Sequence, residues 1–186
     1  MEDEELSEGR LLDRRRLKNV EGKRNLVEDL KKRKSQRSIS LLVEMLQDES
    51  WYLREQAVKA LSEAGPEASG PVLNLLETGL WYTRAAAAKV VGEIGGDEAV
   101  DRLIDPLNDS NMTVQGAAAA ALVRISKRSS VKHLARALAA RSSEMRQRAL
   151  SRLRLLDAEL AKSVEDYWER SIAGRDAESP DEPDSA

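Results

Sequence analysis

Self-similarity at a period of about 31 residues limits most what this chain can become. The run Trp51-Tyr52-Leu53-Arg54-Glu55-Gln56-Ala57 continues to Leu61 and Gly65. Thirty residues later Trp81-Tyr82-Thr83-Arg84-Ala85-Ala86-Ala87 continues to Val91 and Gly95. Thirty-one residues on stand Val114-Gln115, Ala118, Leu122 and Ser126, and thirty-one further Met145-Arg146, Ala149, Leu153 and Asp157. The upstream halves align as well. Leu42, Val72, Leu103 and Leu134 form one column, Leu46, Leu76, Leu107 and Leu138 a second, and Val43, Leu73, Ile104 and Ala135 a third. A period of this size marks small units that bury their apolar faces only by stacking on one another.

Each unit carries two apolar stripes at helical spacing. Ile39, Leu42, Val43 and Leu46 mark one helix, and Leu53, Ala57, Ala60, Leu61 and Ala64 the next. These are i, i+3, i+4, i+7 faces, not the alternation of a strand. Asp48-Glu49-Ser50, Thr78-Gly79, Asp109-Ser110-Asn111 and Ser142-Ser143 separate the two helices of a unit. Gly65-Pro66, Gly95-Gly96-Asp97 and residues 126–130 separate successive units. Glycine after the last apolar position caps a helix, and proline directly after it stops one. Each unit therefore reads as a helical hairpin. Pro106 falls late in a first helix, which it should kink or end early.

This pattern resembles HEAT-like repeats, of the short kind found in phycobilisome lyases. The family's second helix follows a pattern like D-x-x-x-x-V-R-x-x-A-x-x-A-L-G-x-I-G. The chain offers Asp48, Leu53-Arg54, Ala57, Ala60-Leu61 and Gly65, then Arg84, Ala87 and Val91-Gly92-Glu93-Ile94-Gly95. Gln115 replaces the expected Arg, and Thr78 and Ala140 the expected Asp. The resemblance implies an all-α fold, a short right-handed α-solenoid of about four HEAT-like hairpins with charged capping helices. The hairpins span 38–66, 67–96, 97–127 and 128–157. Residues 1–37 read as charged N-terminal capping helices and a degenerate repeat, with Lys23, Leu26 and Leu30 at the Arg54, Ala57 and Leu61 positions. Residues 158–172 read as a closing helix, and 173–186, with Pro180 and Pro183 and no large apolar residue, as a disordered acidic tail.

Composition narrows the function classes. The chain has no cysteine and one histidine. That removes disulfides, a thiolate nucleophile and a cysteine- or His-pair metal site. No cofactor and no catalytic residue is expected, and His133 has no Asp, Ser or Cys beside it in sequence. The N-terminus lacks the pattern of a secretory signal, and no apolar run nears the ~20 residues of a membrane span, so a cytoplasmic protein is expected.

The net charge of −3 conceals blocks: +3 over residues 1–40, −8 over 41–110, +9 over 124–154 and −7 over 155–186. The basic block is nearly the whole fourth repeat, and it contains one carboxylate, Glu144, and no aromatic residue. Lys132 and Arg136 share one helix face, as do Arg148 and Arg152. Arginine favours bidentate pairing with carboxylate or phosphate. The expected partner is another protein with an acidic surface. Nucleic acid is the rival, against the chain's overall acidity, and the chain's own acidic tail a third candidate. Four of six aromatics form the pairs Trp51-Tyr52 and Trp81-Tyr82, ahead of Arg54 and Arg84. They read either as staples over the turn or as a partner-contacting ledge. The Ala runs 85–88 and 117–121 read as helices approached closely on both sides.

The function expected from repeat and resemblance together is a non-catalytic protein–protein scaffold. Its partner-binding residues would be Trp51, Tyr52, Arg54, Trp81, Tyr82, Arg84, Lys132, Arg136, Arg146, Arg148 and Arg152. A tetrapyrrole lyase-like or chaperone activity rests on the resemblance alone.

Overall fold

The computed structural model describes residues 20–33, 35–128 and 131–177. The expectations for residues 1–19 and for the tail from 178 on lie outside the described residues. Among the described residues every regular element is helical. They fall into two compact units that divide between Ile94 and Gly95.

The first unit contains α1 (Val20–Arg33), α2 (Gln36–Met45), α3 (Trp51–Ala64), a 3₁₀ turn (Gly65–Ala68), α4 (Ser69–Asn74) and α5 (Trp81–Ile94). Helices α2 and α3 form one hairpin, α4 and α5 the next, and α3 packs beside α5. Helix α1 packs on both α2 and α3, burying Leu26, Val27 and Leu30. Its last turn carries Lys31, Lys32 and Arg33, cations placed at the negative end of the helix dipole. Ser35 caps α2, its hydroxyl accepting from the Ser38 amide at 3.1 Å. Gly65 (φ 74°) ends α3 and Gly95 (φ 81°) follows α5, both in backbone conformations that a side chain would strain.

The second unit contains α6 (Asp97–Leu103), a 3₁₀ turn (Asp105–Asn108), α7 (Met112–Arg128), α8 (Val131–Ala139), α9 (Ser143–Leu156) and α10 (Ala158–Ala177). Helices α7 and α9 pack side by side, α6 packs on α8, and α10 packs on α8 and α9. Pro106 ends α6 as expected: the helix stops at Leu103 and the proline opens the 3₁₀ turn, where its missing N–H costs nothing. Helix α4 is shortened to six residues, with Pro66 in the preceding 3₁₀ turn and Pro71 in its own first turn. Helix α10 runs to Ala177, past the boundary expected at 172. One glycine, Gly174, costs a helix about 1 kcal/mol, too little to stop it among helix-compatible neighbours.

The apolar columns are the core. Leu46, Leu107 and Leu138 are wholly buried, and so is the column Ala57, Ala87, Ala118 and Ala149. Alanine at that position lets second helices approach closely with no side chain to displace. Ala85 to Ala88 are all buried, so α5 is covered around most of its circumference.

Candidate functional site

The arginine column lies at the fourth residue of the second helices, one turn from the hairpin loop. There each side chain reaches back to the loop's carbonyls. Arg54 Nη1 donates to the Asp48 and Glu49 carbonyls at 2.7 and 2.9 Å, and Arg84 Nη1 to the Gly79 carbonyl at 2.7 Å. Arg146 Nη1 donates to the Arg141 and Ala139 carbonyls at 2.6 and 3.2 Å. Gln115, the apparent departure from the family pattern, does the same, since its Nε2 donates to the Asp109 carbonyl at 2.5 Å. Carbonyls at a hairpin turn lie beyond the reach of the helices' own ladders, so the clamp satisfies them and fixes the turn. The aspartates act from the other side. Asp48 Oδ1 accepts from the Ser50 amide and Asp109 Oδ1 from the Asn111 amide, each at 2.8 Å. In the fourth hairpin Ser142 caps α9 instead, accepting from the Met145 amide at 3.3 Å.

The aromatic pairs sit on these clamped turns. Trp51 is 67% exposed, Leu80 59% and Trp81 44%, while Tyr52 and Tyr82 are half-buried. Trp81 packs edge-on to Tyr82, centroids 5.7 Å apart. The Arg54 guanidinium lies over the Tyr82 ring, 4.3 Å from its centroid, and so ties one hairpin to the next. Lys89 of α5 pairs with Glu55 of α3 across the same junction. Tyr82 and the arginines therefore hold the frame, and the two tryptophans and Leu80 stand on it facing solvent.

The basic block divides in the same way. Arg141 pairs with Asp105 at 3.2 Å and Lys127 with Asp157 at 3.0 Å, while Arg154 pairs with Glu165 and Arg148 with Glu144. Trp168 of α10 donates Nε1–H to the Ala135 carbonyl at 2.6 Å, and the Arg146 guanidinium lies 5.9 Å from its ring centroid. Burial alone would raise the Tyr167 hydroxyl. Hydrogen bonds from the Arg136 and Ser171 side chains, and the charges of Arg136 and Lys132, outweigh it and hold the group below the usual tyrosine value. The closing helix thus engages the Lys132–Arg136 face with aromatic residues. The Arg148–Arg152 face of α9 lies open: Arg148 is exposed, and a groove of about 450 Å³ runs along Gln147, Arg148, Ser151, Arg152 and Leu155.

Asp157 anchors α10. Its Oδ1 accepts from the Leu160 amide at 2.9 Å, and that bond foremost, then the Lys127 ammonium, holds its carboxyl below the usual value. A depressed native pKa stabilises the fold above the unfolded value of about 3.9, and this contribution disappears as pH falls through the native pKa. The Asp157→Asn protein, which keeps a capping side chain, is expected to melt lower than wild type at pH 7. The gap should narrow in calorimetry as pH falls through and below the usual carboxylate range. A gap unchanged across that range would show that the carboxylate's charge contributes nothing.

His133 acquires carboxylate neighbours from α6. Packing of α8 on α6 sets Nε2 3.3 Å from Asp101 Oδ1 and Nδ1 3.7 Å from Asp97 Oδ2. No group of three His, Cys, Asp or Glu residues able to hold a metal is found among the described residues. Nor is any described helix long and apolar enough to cross a membrane.

Hairpins of two helices, repeated in sequence and clamped at the same turn position, define a helical-repeat protein of the α-solenoid class. The model of the HEAT repeats matches residues 10–79 and 71–154, and the chain belongs to that family. The match stands at the level of HEAT repeats and does not extend to the phycobilisome-lyase kind. The crystal structure of an engineered protein is 22% identical, over 73% of this chain and 74% of that one, with a TM-score of 0.40. No curated protein matches the sequence.

Proposed function

We propose that this chain is a non-catalytic, cytoplasmic scaffold that binds other proteins through the exposed edges of its second helices. The carrying observation is the ledge of Trp51, Leu80 and Trp81, large apolar side chains held in solvent on turns that Arg54 and Arg84 fix. Tryptophan on a rigid support supplies much of the binding energy at interfaces, because little entropy is lost on contact. Tyr52, Tyr82, Arg54, Arg84 and Arg146 act by supporting such surfaces. Lys132, Arg136, Arg148 and Arg152 supply the positive field that favours an acidic partner.

The test is a selection from a peptide library covering the host proteome, with the full chain as bait. Wild type is expected to enrich a defined set of peptides. Trp51→Ala/Trp81→Ala is expected to lose at least about tenfold of the affinity for part of that set, with its circular dichroism unchanged. No enrichment by the wild type would contradict the reading.

A further inference from the structure

The last second helix departs from its predecessors at two positions. In the column three residues after the buried alanines stand Ala60, Val90, Ala121 and Arg152. The first three are at most 3% exposed, covered between helices. Arg152 occupies the same place on α9, half-buried, its Nε buried without a hydrogen-bond partner. Three residues further on stand Glu63, Glu93, Arg124 and Leu155. Here the earlier repeats are charged, and α9 presents a leucine that is 86% exposed. Its neighbour Leu156 is 54% exposed and borders a second groove of about 420 Å³ with Ala120, Val123, Arg124 and Lys127 of α7. Polar and apolar positions have exchanged places on this face.

Ending a repeat array needs only a polar outer face. Leu155 is the opposite of that, since it adds apolar surface where three earlier repeats have charge. A half-buried guanidinium is costly as well, unless an anion meets its outer end. Both oddities resolve with one occupant. We infer that the outer face of α9 receives an acidic amphipathic helix of a partner protein, packed against it as α9 packs against α7. Its carboxylates would face Arg148 and Arg152, and an apolar side chain would cover Leu155. The Arg148–Glu144 pair is an exposed i, i+4 ion pair, cheap to exchange for an incoming carboxylate.

Charge and composition choose among occupants. The block from 124 to 154 has ten basic residues and one acidic. Lys127, Arg141 and Arg154 pair with carboxylates outside it, while Arg148 and Arg152 line the α9 groove and favour an anionic partner there. The chain's own residues 178–186 are acidic but have no apolar side chain larger than proline to cover Leu155. Nucleic acid would find phosphate contacts, but it would leave the exposed Leu155 in water.

The inference rests on the protein-binding reading, and its test is separable from it. The probe is a fluorescein-labelled helical peptide of five turns with leucines at i, i+4 and i+7 flanked by glutamates, titrated with the full chain by anisotropy. Wild type is expected to bind it. Arg148→Glu/Arg152→Glu should weaken binding at least about tenfold, and Leu155→Ser about fivefold, with unchanged circular dichroism. Equal binding by the charge-reversed protein, or equal affinity for the same peptide with glutamine in place of glutamate, would overturn the proposal. So would full displacement of the probe by an equimolar peptide of residues 176–186, or by duplex DNA. A dimer that forms without probe and vanishes in Arg152→Glu would also overturn it. If the probe fails while Trp51 and Trp81 still govern the library selection, this site is lost and the scaffold reading stands.

Discussion

Ala87→Leu is expected to cost the fold about 3 kcal/mol, seen as a large drop in the urea midpoint with little change in slope. Ala87 is wholly buried on α5, in the column where Ala57, Ala118 and Ala149 are also wholly buried. A leucine there adds three heavy atoms to a wholly covered position of α5, a helix packed on both α3 and α4. The helices must part or the side chain must leave its rotamer, and either loses neighbouring contacts. Ala120 is the control. It lies exposed on α7 at the groove bordered by Leu156. Ala120→Leu should therefore change stability by no more than about 0.5 kcal/mol. Equal costs at the two positions would mean that the alanine column does not set the helix spacing.

Leu122→Ala is expected to cost about 3 kcal/mol by the opposite mechanism. Leu122 is wholly buried on α7, and truncation removes its transfer energy and leaves a cavity that rigid neighbours fill only partly. Leu155 is the contrasting case, a side chain 86% exposed. Leu155→Ala removes three carbons from it and should change stability by no more than about 0.5 kcal/mol. The contrast matters for function, because the exposed leucine then has no role in folding to explain it. A Leu155→Ala loss comparable to that of Leu122→Ala would return Leu155 to the core and undo the docking site.

The fold was legible in the sequence because its physics is written in residue type. Leu42, Val72, Leu103 and Leu134 had to be apolar at a fixed period, and all four are buried. Pro106 announced the end of a first helix because proline lacks a donor. What stayed unread are interactions in which one partner is backbone or comes from another hairpin. Arg54, Arg84 and Arg146 stood out as a column, but a carbonyl acceptor has no residue code, so their clamp on the turn left no signature. Gln115 looked like a departure from the pattern for the same reason: its amide donates to the Asp109 carbonyl as the guanidinium does elsewhere. His133 and Asp101 are separated by close to one repeat length, and that spacing was the signal that would have paired them. The exposed tryptophans lay between two readings that sequence alone left open, because stapling and presenting use the same residue at the same place. The two exchanged positions on α9 were present in the repeat alignment, but their meaning depends on burial: Arg152 is unusual only because Ala60, Val90 and Ala121 are covered.

A frame of clamped hairpins that presents binding surfaces on its second helices makes a specific demand on hydrogen exchange. The full chain would be measured alone and saturated with the strongest peptides from the library selection. Slowed exchange is expected at the second-helix edges and nowhere else, around residues 50–55, 79–84 and 144–156. The first helices α2 and α8 should be unchanged. Protection confined to those first helices, or no peptide-dependent change anywhere, would contradict the scaffold built on clamped turns.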